Sequence, residues 1–317
     1  MHVRNKRYAA ALAVLLSGAA IGASTVAAAG PRLGAWTTPA PVDGGAVAGG
    51  CPIESRDGRT LYVAGGFDGT LDVFKYERAD TKSAFGPREK VTAPVSLDDA
   101  NDFCPTPLPG GYLLFVSNRA LPDACGGTDM YVVRYNRDTG ELLEGPRNLG
   151  CAPNGPNTSG GELSPSYVTT KDGIQLYFST DVAGTQDLYV SEGDFAGNFS
   201  AASAVAELNT EADDRQPNVG RGGLEIVFAS NRDGVGAQDI FTATRSSLSQ
   251  PWGNIRNLSF DVGFPTAGGS ETRPSLSWDL QRLYYGSGGT VYLSRRTPCR
   301  VWAASLGRYL DICRASR

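Results

Sequence analysis

The chain has 317 residues, and its 33 acidic side chains outnumber its 29 basic ones, which leaves a formal net charge of −4. An acidic chain without a Lys/Arg cluster lacks the electrostatic footprint of a nucleic-acid-binding protein, so that class is excluded. The 40 Gly and 19 Pro, together with scarce periodicity near 3.6 residues, exclude a mainly helical fold.

The amino terminus has the features of a secretory signal peptide over residues 1–29. Arg4, Lys6 and Arg7 precede an acid-free apolar run that ends in three alanines before Gly30. The alternative is an uncleaved membrane anchor, because a run of about 20 residues is long enough to cross a bilayer. Cleavage predicts a secreted or periplasmic, cell-envelope protein without a stable membrane span, and removing the three basic residues moves its formal net charge from −4 to −7.

The histidine and cysteine content narrows the chemistry of the mature chain. The single histidine, His2, lies in the leader, so no Ser-His-Asp site, Cys-His site or His-ligated metal site is expected. All six cysteines follow the leader, and an even number in an exported chain indicates disulfides. Zinc is the alternative, but no Cys-x-x-Cys pair is present. We therefore predict disulfides, with neither a metal nor a cofactor.

A repeat of roughly fifty to sixty residues, a period typical of propellers and solenoids, runs along the chain. Its clearest feature is a short apolar run, which we interpret as the second strand of each copy: Leu61–Val63, Leu113–Phe115, Leu176–Phe178, Ile226–Phe228 and Leu283–Tyr285. A proline precedes each run and marks a first strand: Pro52, Pro105, Pro165, Pro217 and Pro274. The glycines between proline and run favour a tight turn that joins two strands.

Two further strands complete the predicted repeat. The third strand opens with an aspartate in four copies: Asp72, Asp129, Asp187 and Asp239. The fourth strand shows as two apolar residues six positions apart, at 85–91, 143–149, 199–205 and 252–258. The fifth copy ends after its third strand, and residues 36–42 near the amino terminus repeat the missing spacing.

These elements predict an all-β fold, a five-bladed β-propeller of four-stranded antiparallel blades whose last blade is closed by the N-terminal strand. Closure removes the exposed edge of the sheet. An open solenoid is the alternative, and it would need capping repeats at both ends. The predicted domains are the signal peptide at 1–29, the propeller at 30–298 and a disulfide-tethered tail at 299–317, where residues 301–312 alone are expected to form a short helix.

Six cysteines allow fifteen pairings, so the connectivity stays open. Positions in the repeat favour three pairs: Cys299 with Cys313, Cys125 with Cys151, and Cys51 with Cys104.

The fourth copy carries the motifs of a known repeat. It has Pro217, the apolar run at 226–228, Ser230-Asn231-Arg232 and Asp239-Ile240-Phe241, and the second copy keeps Ser117-Asn118-Arg119 and Asp129-Met130-Tyr131. These motifs resemble the WD40-like (PD40) repeat of the TolB-like β-propeller family, over about residues 36–296. The resemblance implies a propeller that binds a protein, a peptide or a glycan.

Eight carboxylates are expected at one face of the propeller, where the loops between second and third strands and the loops between blades emerge. Four open the third strands, and four precede the repeat prolines: Asp102, Glu162, Asp214 and Glu271. The second group is our candidate ligand-binding set, for a cation, a basic peptide or sugar hydroxyls. The strand-opening aspartates are interpreted as structural, with Arg119 and Arg232 placed to pair with Asp129 and Asp239.

The function expected from this pattern is a non-catalytic binding or scaffolding module for a protein or polymeric ligand, with no catalytic residue. The alternative is a carboxylate-dependent glycan-active enzyme, a glycosidase or lyase. Glu162 and Glu271, both in Gly-rich loops, are then the catalytic pair. A retaining glycosidase needs such carboxyl groups about 5 Å apart.

Overall fold

The computed structural model describes residues 33–67, 69–136, 139–194, 197–232, 234, 236–262, 269–303 and 308–311. The predicted signal peptide at 1–29, and His2 with it, lies outside these residues, as does Cys313. Within the described ranges, no helix has both the length and the apolar character needed to cross a bilayer.

Five four-stranded antiparallel sheets confirm the predicted five-bladed propeller. The first strand in the chain is β1 (Ala40–Pro41). Blade 1 consists of β2 (Gly50–Glu54), β3 (Thr60–Phe67), β4 (Thr70–Glu77) and β5 (Glu89–Lys90). Blade 2 consists of β6 (Asp102–Pro107), β7 (Tyr112–Ser117), β8 (Asp129–Tyr135) and β9 (Leu142–Asn148). Blade 3 consists of β10 (Glu162–Thr169), β11 (Ile174–Thr180), β12 (Asp187–Gly193) and β13 (Ser203–Ala204).

Blade 4 consists of β14 (Asp214–Val219), β15 (Glu225–Ser230), β16 (Asp239–Thr244) and β17 (Gly253–Asn257). Blade 5 consists of β18 (Thr272–Leu276), β19 (Arg282–Ser287), β20 (Thr290–Arg295) and the N-terminal β1. The described helices are short: 3-10 turns at Val42–Gly45 and Pro109–Gly111, and α1 at Leu258–Val262. The five first strands contact one another in a closed ring, in the order β2, β6, β10, β14, β18 and back to β2.

The core lies between blades, because each second strand is buried on both faces. Between blades 5 and 1, for example, Leu61 and Val63 pack with Tyr284 and Val291, and all four are 0% exposed. This explains why the second-strand runs read as continuous apolar segments instead of alternating ones.

The N-terminal strand closes the last blade, as predicted. β1 pairs antiparallel with β20, with Ala40 opposite Leu293 and Pro41 opposite Tyr292. Just before β1, Trp36 is buried, and the Arg296 guanidinium stacks 4.1 Å from its ring centre. The two ends of the propeller are therefore held in one sheet.

Every first strand carries a β-bulge immediately before its repeat proline. The residues at the bulge have positive φ, between 46° and 56°, although none is glycine: Cys51, Cys104, Ser164, Gln216 and Arg273. A bulge redirects a side chain out of the sheet's alternation. The Ser164 Oγ lies 3.2 Å from the Cys104 Sγ, and the Gln216 Oε1 accepts the Arg273 N–H at 2.9 Å. These five residues form a ring around the central channel, which we call the bulge ring.

Two predicted disulfides are present, Cys51–Cys104 and Cys125–Cys151. Cys299 is also disulfide-bonded, whereas its predicted partner lies outside the described residues. The predicted helix at 301–312 is wrong: β21 (Arg300–Ala303) and β22 (Arg308–Asp311) form an antiparallel hairpin. Val301, Trp302 and Tyr309 are residue types that favour strands over helices.

Candidate functional site

The eight predicted carboxylates do lie at one face, which we call the acidic face: Asp72, Asp102, Asp129, Glu162, Asp187, Asp214, Asp239 and Glu271. In blade 2, Asp102 and Asp129 flank Ser117 in register at the end of β7. Blades 3 and 4 repeat this arrangement. All except Asp187 are buried, so most of these side chains point into the protein.

Two first-strand acids are neutralised by arginines of their own blades. Asp102 accepts hydrogen bonds from the Leu97 backbone N–H and from Arg119 Nη2, both at 2.8 Å. Asp214 accepts from Arg232 and from the backbone N–H of Thr210. The expected pairing of these arginines with Asp129 and Asp239 is therefore wrong.

In blades 2 and 4 the third-strand aspartates, Asp129 and Asp239, are occupied by other donors, which explains why the arginines bond to the first strand. Asp129 accepts the Cys125 N–H at 2.7 Å and the Asn148 Nδ2 at 2.9 Å. Asp239 accepts the Asn257 Nδ2 at 2.9 Å. Backbone amides and side-chain amides thus tie each of these aspartates to its own blade.

Glu162 and Glu271 differ from the other two first-strand acids, Asp102 and Asp214, because neither pairs with a cation among the described residues. Glu162 accepts the Thr158 N–H at 3.1 Å through Oε1, while its Oε2 has no partner there. Both oxygens of Glu271 are unpartnered. Burial raises the pKa of each carboxyl to about 7, and for Glu271 the charge of Asp239 adds to the effect. They lie in non-adjacent blades, and both are 0% exposed, so neither can touch a ligand in this conformation.

A cavity of about 300 Å³ opens at the opposite face, where the turns between first and second strands emerge. We call this the cavity face. All five blades line the cavity with the ends of their first strands. Its apolar lining residues are Ile53, Pro107, Val168, Val219 and Leu276.

Most polar groups of the lining are already bonded within the protein. The Thr106 hydroxyl donates to the Pro165 carbonyl at 2.6 Å, and the Ser277 hydroxyl donates to Asp279 at 2.6 Å. Asn218 accepts the Leu276 N–H at 2.8 Å. These groups hold the walls in place and have little capacity left for a ligand.

Glu54 is the only acid among the described lining residues, and it is neutralised. Arg78 contacts it at 2.5 Å, Arg282 Nη2 at 2.9 Å, and the Tyr284 hydroxyl donates to it at 2.8 Å. Burial lowers the pKa of Arg282, but the hydrogen bond and charge of Glu54 outweigh this and raise it overall. Arg282 Nη1 also contacts the Asp279 carboxylate at 3.0 Å, so two arginines face two carboxylates and the cluster is balanced in charge.

Two more arginines stand at the cavity mouth beside Trp278 of blade 5. The Arg56 guanidinium lies 4.1 Å from the centre of the indole, and that of Arg221 lies 5.6 Å from it. They come from blades 1 and 4, the neighbours of blade 5. Both are exposed, and no carboxylate partner is found for either in the described part of the chain.

Arg273 of the bulge ring extends across the central channel beneath the cavity. Its Nη2 donates to the Thr106 Oγ1 at 3.0 Å and to the Pro165 carbonyl at 3.3 Å, which belong to blades 2 and 3. The side chain is 0% exposed, and neither Nε nor Nη1 has a partner among the described residues. Burial lowers the pKa of this guanidinium to about 9. A buried cation without a counter-ion is costly, and such groups concentrate at functional sites.

The sequence pattern drew attention to the acidic face and missed the cavity face. A signal for the latter was available. From blade 1 to blade 5, the residue before the repeat proline is Cys, Cys, Ser, Gln and Arg273. The arginine is the only charged residue of this set. Trp278 is similarly exceptional in the turn between the first and second strands of blade 5. Blade 1 has Arg56 at the equivalent position.

Comparisons with known proteins identify the fold. No protein-family model matches the chain, and no curated protein matches it. Among solved structures, it is similar to the catalytic domain of a Coprinopsis cinerea GH62 α-L-arabinofuranosidase, with a TM-score of 0.52 and 15% identity over 84% of this chain and 96% of that one. A thermostable family-43 glycoside hydrolase is similar with a TM-score of 0.51 and 14% identity over 86% and 96%.

TolB from Acinetobacter baumannii is also similar, with a TM-score of 0.43 and 14% identity over 82% of this chain and 55% of that one. The two likenesses with TM-scores above 0.5 show the fold alone, and no activity is transferred from any of the three.

Proposed function

We propose that this chain is an exported, non-catalytic binding module for a protein or polymeric ligand, and that the ligand docks at the cavity face. The observation that carries the proposal is the cavity itself, which all five blades line and whose mouth presents two arginines that have no carboxylate partner within the described ranges. Concave sites with apolar walls and a few charged groups are the usual form of binding sites. The repeat motifs also lead us to propose membership in the WD40-like (PD40) repeat family.

Three features support an exported location and a non-catalytic role. The disulfides Cys51–Cys104 and Cys125–Cys151 are compatible with an extracellular or periplasmic protein. In the cavity, the acid Glu54 is held by Arg78 and Arg282 and is not available as a general acid or base. The candidate ligand set on the acidic face is buried, and two of its members, Asp102 and Asp214, are paired with arginines of their own blades, which is the arrangement of a scaffold.

The experiment is an affinity capture from the exported fraction of the producing cells with three forms of the protein. Thr169→Trp obstructs the cavity rim from an exposed position, and Lys171→Trp adds the same bulk at an exposed site nearby that does not line the cavity. We expect the partner to be lost with Thr169→Trp and kept with Lys171→Trp. Equal capture by all three forms would show that the ligand does not use the cavity.

A glycan-active enzyme is the second candidate, and one observation favours it. The pKa values of Glu162 and Glu271, about 7 each, suit a general acid. Turnover of any polysaccharide in a panel, lost in both Glu162→Gln and Glu271→Gln, would establish this candidate and overturn the non-catalytic proposal. Absence of turnover together with cavity-dependent capture supports the binding module.

A further inference from the structure

Positive charge is concentrated around the cavity of a chain whose formal net charge is −4. Arg56 and Arg221 stand at the mouth and Arg273 lies beneath the floor, all without a carboxylate partner among the described residues. Such a concentration in a low-dielectric concavity attracts anions, because the walls focus the field. The ligand of this site is therefore expected to carry negative charge.

The stacking at the mouth determines how the anion is recognised. The Arg56 guanidinium lies 4.1 Å from the centre of the Trp278 ring and that of Arg221 lies 5.6 Å from it, and neither has a carboxylate partner among the described residues. The N–H donors lie in the guanidinium plane and stay available, and their fork matches a carboxylate. Arg56 lies close over the indole and therefore competes with a sugar ring for stacking on it.

The interior of the cavity favours an apolar group over a sugar. Ile53, Val168 and Leu276 line it, and the hydroxyls of Thr106 and Ser277 are engaged inside the protein. A sugar would leave most of its hydroxyls without partners here, at a cost for each one. An aliphatic or aromatic side chain would instead bury its surface favourably.

We propose that the cavity captures the carboxyl terminus of a peptide or protein, with the α-carboxylate at the mouth beside Arg56 and Arg221 and the last, apolar side chain in the cavity. Arg273 adds positive charge from beneath the Thr106 floor. This inference rests on the proposed binding function and names the chemistry of its ligand. A terminal carboxylate next to one apolar side chain combines the two features that the cavity offers within about 300 Å³.

The test uses a fluorescein-labelled pool of tetrapeptides that end in Val, Leu, Ile or Phe, and a matched pool with amidated carboxyl termini. Binding is measured by fluorescence anisotropy at low and high salt. We expect the free-acid pool to bind at least tenfold more tightly than the amidated pool, with the difference reduced by salt.

Matched variants test whether the arginines at the cavity mouth cause the preference for the free-acid pool. Arg56→Gln combined with Arg221→Gln should abolish the preference for the free acid, and Arg273→Met should weaken it. Arg59→Gln removes an exposed arginine of the same blade 1 turn that does not line the cavity, and should leave binding unchanged. Arg56 and Arg221 are exposed, so their variants are expected to fold, and thermal unfolding checks this for Arg273→Met.

Several outcomes would overturn the inference. These are equal binding of the two pools, unchanged binding by the Arg56/Arg221 double variant, and displacement of the free-acid pool by an oligogalacturonate that binds more tightly. If neither pool binds while Thr169→Trp still abolishes partner capture, this inference fails and the proposed function stands. If Thr169→Trp captures the partner normally, the proposed function fails whatever the peptides do.

Discussion

The two faces of the propeller both carry many charged residues, but they use them in opposite ways. On the acidic face, Asp102 and Asp214 are buried against arginines of their own blades. On the cavity face, Arg56 and Arg221 are exposed and lack carboxylate partners among the described residues. A charge that is buried and paired serves folding, whereas an unpaired charge beside a cavity remains available for a ligand. Variants on each face can break or sharpen this contrast.

The largest effect is expected for Asp102→Ala. Removal of this carboxylate leaves the buried Arg119 guanidinium without its charge partner, and breaking a buried pair in this way costs about 3–5 kcal/mol. The free energy of unfolding from denaturant titration measures the loss. A loss below about 1 kcal/mol would contradict the structural role, and Asp98→Ala, at an exposed acid in the preceding loop, is the control.

The next largest effect is expected at the two buried glutamates, Glu162 and Glu271, where substitution should increase the free energy of unfolding. Their pKa values of about 7 lie above the ordinary value of 4.5, so the folded chain holds protons that the unfolded chain releases. Their contribution to stability is therefore present below about pH 4.5 and is lost as the pH rises through about 7.

Above pH 7 the folded protein bears the free-energy cost of ionising two buried carboxyls. Glu162→Gln and Glu271→Gln remove this cost and keep the side-chain volume. Each should stabilise the protein at pH 8 by on the order of 3 kcal/mol, since the pKa is raised from 4.5 to about 7 and each pKa unit corresponds to about 1.4 kcal/mol. Denaturant titrations at pH 5 and pH 8 measure the difference. An equal effect of the substitution at both pH values would show that the carboxyls do not titrate in this range.

Arg273→Met tests the buried cation. Two hydrogen bonds, to the Thr106 hydroxyl and the Pro165 carbonyl, are lost, but so is the desolvation cost of an unpaired guanidinium. We expect a net stabilisation of about 1–2 kcal/mol together with weaker binding, which is the trade-off typical of functional residues. A strong loss of thermal stability would instead assign Arg273 to the scaffold.

The smallest effect is expected for Arg56→Gln. Its side chain is exposed and only stacks on Trp278, so the free energy of unfolding should change by less than about 0.5 kcal/mol. Differential scanning calorimetry beside Arg59→Gln measures this. A larger change would mean that the cavity mouth is part of the scaffold, and the contrast between the faces would fail.

The sequence predicted the fold well because blade structure is encoded in short apolar runs and turns that recur in every copy. Closure of blade 5 was predictable for the same reason, since residues 36–42 repeat a spacing that the fifth copy lacks. The partners of Arg119 and Arg232 were not predictable, because each arginine lies two residues beyond a second strand that has an acid on either side, and the choice depends on which acid the amides already occupy.

The cavity escaped prediction for a different reason. Its walls are the first-strand ends that follow the bulges at Cys51, Cys104, Ser164, Gln216 and Arg273, where φ is positive. A left-handed residue before proline is not a pattern that sequence signals indicate. The repeated acids were conspicuous and proved to be mainly buried and bonded. The residues that break the repeat, Arg273 and Trp278, lie at the cavity.

Hydrogen exchange of the protein with and without its captured partner tests the central claim most directly. Ligand binding at the cavity face predicts added protection of the turn amides at 55–58, 220–223 and 277–280, with little change at 97–102 and 208–214 on the acidic face. Protection confined to the acidic-face segments would contradict the account.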